Sequence, residues 1–172
     1  MPRIATLTLA SALLLGAGCD STGSNGRILL QDDCDPATFN SALGAGTCEH
    51  RSAAGVTFAN FNAELQATHT VAAWRIFPPA MTIAEGEDFE VENTGGETHT
   101  YTEVDEFGGG VVPSLNAAAG ISTVAPECQD GAVFAASTIR SGQTMHHTFD
   151  EAGTEKYQCC IHPWMRQTVT VQ

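Results

Sequence analysis

Nine consecutive residues, Tyr157-Gln158-Cys159-Cys160-Ile161-His162-Pro163-Trp164-Met165, constrain this chain more than any other stretch. A thiol, an imidazole and a thioether are crowded between two strand-like runs, Glu155 to Gln158 and Thr168 to Val171. Sulfur donors combined with imidazole suit soft and borderline metal ions. A Cys-x-x-His pair alone also occurs in zinc sites, but those want further Cys and His ligands close by. A loop of this kind needs another donor from elsewhere in the chain. His99 fits, on a strand after the Asn93-Thr94-Gly95-Gly96 turn.

The pattern around these residues predicts an all-β fold. Trp74 to Phe77 alternates and stops at Pro78-Pro79. Met81 to Ala84 follows, then a Glu85-Gly86-Glu87-Asp88 turn. Phe89-Glu90-Val91-Glu92-Asn93 alternates apolar with acidic, as a half-buried strand does. Further strands are predicted over Thr98 to Val104, Val133 to Ile139 and Thr144 to Phe149, with turns between them. Many short strands with regular turn signals indicate a β-sandwich. The stretch from Gly108 to about Asp130, rich in Gly, Ala and Pro, reads as a long surface loop. Val56 to Trp74 is open between a short amphipathic helix on Phe58, Phe61 and Leu65 and a pair of strands. Residues 27–55 show no sustained period and read as irregular.

The hydrophobic fraction of 42% is enough for a core. With 20 Asp+Glu against 7 Lys+Arg and a net charge of -13, a nucleic-acid partner is excluded, because it would need a basic face. The acidic surface suits a basic partner or a cation.

The C-terminal half resembles the cupredoxins, the plastocyanin, pseudoazurin and amicyanin family. There a strand ending in Tyr-x-Cys leads into a loop carrying Cys, His and Met. The spacing of Cys159, His162-Pro163 and Met165 resembles the amicyanin loop. Phe77-Pro78-Pro79 through Gly86 resembles the family's first strand and turn, and Val91-Glu92-Asn93 before Gly95 and His99 its first-histidine segment. The resemblance covers about residues 74–172 and leaves the first seventy or so unexplained. It implies a cupredoxin-like Greek-key β-sandwich with an N-terminal extension and a long inserted loop. It implies one type 1 copper ion held by His99, Cys159, His162 and Met165, with Met165 as the long axial ligand. Thr100 would tie the two ligand segments together by hydrogen bonding. Redox partner proteins would dock on the exposed edges of His162, Pro163 and Trp164. The function implied is one-electron transfer, with no enzymatic activity. Copper storage, delivery or sensing at the same site is the alternative. No His-x-His pair occurs, which weighs against a multicopper enzyme. Cys160 departs from the family, and Cys159 is favoured as ligand because Cys160 lies one residue too close to His162. His146 and His147, neighbours on a strand, point to opposite faces and read as surface or structural residues.

The N-terminal residues read as an export signal: Arg3, an apolar run from Ile4 to Leu15, then Gly16-Ala17-Gly18. Cys19 resembles the lipidation site of a bacterial lipoprotein, although Gly16 stands where that motif usually has leucine. Simple secretion is the other reading. The expected layout is a signal peptide over 1–18, a tether and irregular segment over 19–55, and a copper-binding domain over 56–172. The protein is then expected outside the cytoplasm, in the periplasm or at the cell surface, tethered by lipid. With Cys19 lipidated and Cys159 on metal, four cysteines remain, and an oxidising compartment favours their pairing. Spacing leaves three connectivities open, of which Cys34–Cys48 with Cys128–Cys160 is favoured.

Overall fold

The computed structural model describes residues 26–49 and 55–172. The export signal and Cys19 lie outside the described residues. One four-stranded sheet has the order β2-β1-β4-β8, built from β1 (Gly26–Gln31), β2 (Arg75–Phe77), β4 (Glu87–Asn93) and β8 (Thr144–Phe149). The second has the order β3-β10-β9-β6, from β3 (Ala80–Ile83), β6 (Thr102–Glu103), β9 (Gly153–Gln158) and β10 (Arg166–Val171). A short pair, β5 (His99–Thr100) with β7 (Thr138–Ile139), adds a third ladder.

Alternation explains how the sheets make one core. On β4, Phe89, Val91 and Asn93 are buried while Glu90 and Glu92 are only half-covered. On β10, Gln167, Val169 and Val171 are buried and the residues between them are not. Successive side chains on a strand face opposite ways, so each strand gives one row to the interior. Ile28, Leu30, Ile76 and Phe149 from the first sheet join Ile83, Tyr157, Val169 and Val171 from the second in a single cluster. The fold is the β-sandwich that the sequence predicts.

Three segments differ from the expectation. Residues 26–49, read as irregular, hold β1 and helix α1 (Pro36–Leu43). β1 pairs in parallel with β4 in the register Ile28↔Val91 and Leu30↔Asn93. That partner is some sixty residues away in sequence, and the adjacent Leu29 and Leu30 blur the local alternation. Asp35 caps α1 by accepting the Thr38 N–H, with Pro36 in the first turn. Second, residues 113–129, read as loop, hold two short helices started by proline, α3 (Pro113–Ala118) and α4 (Pro126–Gln129). Third, of Val133 to Ile139, read as strand, only Thr138–Ile139 is strand, and the residues before them belong to helix α5 (Gly131–Ser137). Asp130 decides this by accepting the N–H groups of Ala132 and Val133.

The open choice over 56–74 resolves as helix α2 (Phe58–Thr68), capped by Thr57 and closed by left-handed His69. Phe61 and Leu65 point inward from it, and Trp74 beyond it is 1% exposed. Phe39 of α1, Phe61 of α2 and Trp74 form an aromatic cluster, with Phe61 4.7 Å and Phe39 5.7 Å from Trp74 between ring centroids. Such pairs contribute about 0.5–1.5 kcal/mol each beyond area burial. The cluster closes one end of the sandwich.

Candidate metal centre

The ligand loop is the turn of the β9–β10 hairpin, whose register runs from Arg166↔Gln158 to Val171↔Gly153. Inside it the Cys159 N–H donates to the Met165 carbonyl and the Met165 N–H donates to the His162 carbonyl. These bonds fold residues 159–165 back on themselves, and Met165 is fully buried. Opposite lies the turn after β4. Asn93 donates through Nδ2 to the carbonyls of Glu97 and Ile139, and its Oδ1 accepts the Gly95 N–H. This fully buried side chain sets where the chain re-enters at His99.

Among the described residues, one group of metal-ligating side chains converges: His99, Cys159 and His162, with donor atoms all within 4.8 Å of one another. Cys159 Sγ lies 3.8 Å from His99 Nδ1 and 3.9 Å from His162 Nδ1. His99 and Cys159 have no solvent exposure and His162 has 3%. A metal–sulfur bond of about 2.3 Å and a metal–nitrogen bond of about 2.0 Å meeting at about 120° span roughly 3.7 Å, against roughly 3.5 Å at a tetrahedral angle. The donor spacing therefore suits a single ion in trigonal coordination.

Thr100 joins the two segments, as the sequence suggests. Its N–H donates to Cys159 Sγ at 3.4 Å, and its Oγ1 accepts the Cys160 N–H at 2.8 Å. Thr100→Val is expected to cost about 1–3 kcal/mol by orphaning the buried Cys160 N–H, read by chemical denaturation of the metal-free protein.

Cys34 is disulfide-bonded to Cys48 and Cys128 to Cys160, the pairing favoured from the sequence. Cys160 is thereby removed as a ligand, and Cys159 is the free cysteine among the described residues. The second bridge anchors the α3–α5 insertion to the ligand loop.

The electrostatics bias the cluster toward metal. Burial opposes a Cys159 thiolate, but hydrogen bonds from His162 and His99 and their charges outweigh it, holding the thiol well below its ordinary value. Burial likewise opposes charge on His162, yet the thiolate and the Glu97 carboxylate push its pKa up to about 10. His99 is raised for the same reasons, against burial, by Asp32 and Cys159. The pocket thus favours loss of the thiol proton and retention of ring protons, and a metal ion would take the place of those protons.

Two buried carboxylates complete the surroundings, and the sequence reading missed both. Asp32 Oδ2 lies 2.8 Å from His99 Nε2. Glu97 Oε2 lies 3.3 Å from His162 Nε2 and accepts the Trp74 indole N–H at 2.7 Å. For Glu97 a signal existed in its place two residues before His99, although it read as a turn residue. Asp32 carried none, because it is brought in only by β1.

Other candidates lie elsewhere. His147 Nε2 is 2.7 Å from the Tyr157 hydroxyl and His146 is exposed on the same strand. The docking edge expected at His162, Pro163 and Trp164 is largely closed: His162 and Pro163 are buried and Trp164 is half-buried. Phe61, Trp74 and Trp164 surround the His162 ring at centroid distances of 6.5, 6.4 and 5.5 Å. One of these rings, Phe61 of α2, comes from the region left unexplained by the sequence resemblance.

No protein-family model matches the sequence, and no curated protein sequence does. Among solved structures, a purple cupredoxin from Nitrosopumilus maritimus is similar over 86% of this chain and 100% of its own, at 17% identity and a TM-score of 0.44. A reduced amicyanin variant is similar over 60% of this chain and 78% of its own, at 23% identity and a TM-score of 0.37. A copper-containing nitrite reductase from Thermus scotoductus SA-01 is similar over 57% of this chain and 20% of its own, at 18% identity and a TM-score of 0.37. Identities and TM-scores are low, so the sandwich stands on its own strand pairing.

Proposed function

We propose that this protein is a type 1 copper protein that carries one electron at a time outside the cytoplasm. The observation that carries this reading is the convergence of one cysteine sulfur and two histidine Nδ1 atoms in a buried, trigonally spaced cluster. A His₂Cys set with a weak axial thioether is the donor set of blue copper, and Met165, in the turn that holds Cys159 and His162, is the axial candidate. Copper would supply the one-electron redox change.

The chain's part is to hold that ion without rearrangement. Hydrogen bonds on both ligand segments fix the donors before metal arrives. Burial keeps out water that would add as a further ligand. It also argues for a carrier over a delivery protein, because handing copper on needs an exposed ligand. A redox partner would meet the protein over Trp164, half-buried and 5.5 Å from the His162 ring. The acidic surface suits a basic partner. No helix among the described residues is long and apolar enough to cross a membrane. Attachment through a lipid on Cys19 remains our proposal for how the protein is held at the cell surface.

The test is the visible spectrum of protein loaded with one equivalent of Cu(II), followed through ascorbate and then ferricyanide. An intense band that bleaches and returns supports the carrier. A pale spectrum, or no bound copper, overturns it. Met165→Gln is expected to keep copper and lower the reduction potential by about 59 mV or more, because an amide oxygen favours Cu(II) over Cu(I) by about tenfold. Redox titration at the visible band reads the shift.

A further inference from the structure

Both candidate histidines are oriented the same way. Each turns Nδ1 toward Cys159 Sγ, at 3.8 and 3.9 Å, and Nε2 toward a buried carboxylate, Asp32 for His99 and Glu97 for His162. Asp32 and Glu97 are 6% exposed each, so neither charge is diluted by solvent. We propose that Asp32 and Glu97 are paired positioning residues that fix the tautomer of both ligand rings and hold the copper potential down. This rests on the copper reading of the same site.

The network is specific about where each carboxylate sits. Asp32 Oδ1 accepts the N–H groups of Cys34 and Gly96, while Oδ2 accepts the Glu97 N–H and faces His99 Nε2. The Glu97 main chain is thus tied to Asp32, and its side chain is clamped by Trp74. A ring whose Nε2–H is donated to a carboxylate has its Nδ1 lone pair free and aimed at the metal position, and it is the more basic ligand for the bond. Two negative charges behind the ligands also favour the more highly charged ion. Both effects stabilise Cu(II) over Cu(I).

Neither device belongs to the ligand loop. Asp32 directly follows β1, Cys34 two residues further on is bridged to Cys48, and the Trp74 that holds Glu97 is packed by Phe39 and Phe61. The N-terminal extension therefore has a role at the centre: it delivers one carboxylate and braces the other.

The experiment uses full-length protein with Asp32→Asn and Glu97→Gln, which keep size and an acceptor oxygen while removing the charge. In the copper-loaded state, each variant is expected to weaken Cu(II) relative to Cu(I) by about tenfold or more, a potential rise of about 59 mV per tenfold. The visible band should persist. In the metal-free state, ¹⁵N-edited NMR should show a slowly exchanging Nε2–H on each ring. Asp32→Asn should move the His99 signal and Glu97→Gln the His162 signal. Potentials and ring signals that stay at wild-type values in folded, blue variants overturn the proposal. Wild-type protein that takes up no copper overturns the copper reading and the tuning with it, while the NMR signals still decide the positioning. A Glu97→Asp variant that restores most of the wild-type potential would separate charge from shape.

Discussion

Cys159→Ser is expected to extinguish the intense visible absorption of the copper-loaded protein while leaving the fold in place. The side chain is fully buried and differs from serine by one atom, so the change opens little space. The hydroxyl can still accept from Thr100 N–H, which now donates to sulfur. What disappears is the thiolate. A serine hydroxyl stays protonated near neutral pH and is a poor ligand for copper, so binding should weaken by about a hundredfold or more. Optical spectra of wild type and variant at equal copper loading, with circular dichroism as the check on folding, decide the matter. A variant that remained blue would place the chromophore elsewhere. Cys160 could not supply it, being bonded to Cys128.

Asp32→Ala is expected to cost about 3–5 kcal/mol of stability in the metal-free protein, the range for breaking a buried charged pair by removing one partner. Three backbone N–H groups, those of Cys34, Gly96 and Glu97, lose their acceptor, and His99 Nε2 loses its counter-charge. Orphaned buried donors carry their full desolvation penalty, which is why the loss should exceed that of a single hydrogen bond. The damage should reach the metal as well, because Gly96 and Glu97 position the strand on which His99 lies. Equilibrium urea unfolding reads the stability. A loss under about 1 kcal/mol would mean that water replaces the carboxylate and that the turn is held by Asn93 alone.

These expectations depend on parts of the molecule with very different visibility in the sequence. The ligand loop was legible because Cys159, His162 and Met165 are contiguous in a hairpin turn, so spacing alone describes their neighbourhood. The strands from Trp74 onward were legible because an apolar row against a polar one leaves a period of two in the sequence, clearest in β4. Local capping decided what periodicity misjudged. Asp130 made a helix of Val133 and its neighbours, and prolines at 113 and 126 started helices in a stretch that composition marked as loop.

What the sequence determined by itself was the set of chemical groups and their local turns: a β-sandwich, a cysteine, histidine and methionine in one short loop, and the length of that loop. What only the tertiary structure decided was which distant residues stand behind those groups. Asp32 reaches His99 because β1 inserts in parallel beside β4, a pairing across some sixty residues that no local pattern encodes. His162 is covered rather than exposed because α2 and Trp74 fold over it. Hydrogen-bonded ladders and packed rings act between neighbours in space, and sequence records only neighbours along the chain.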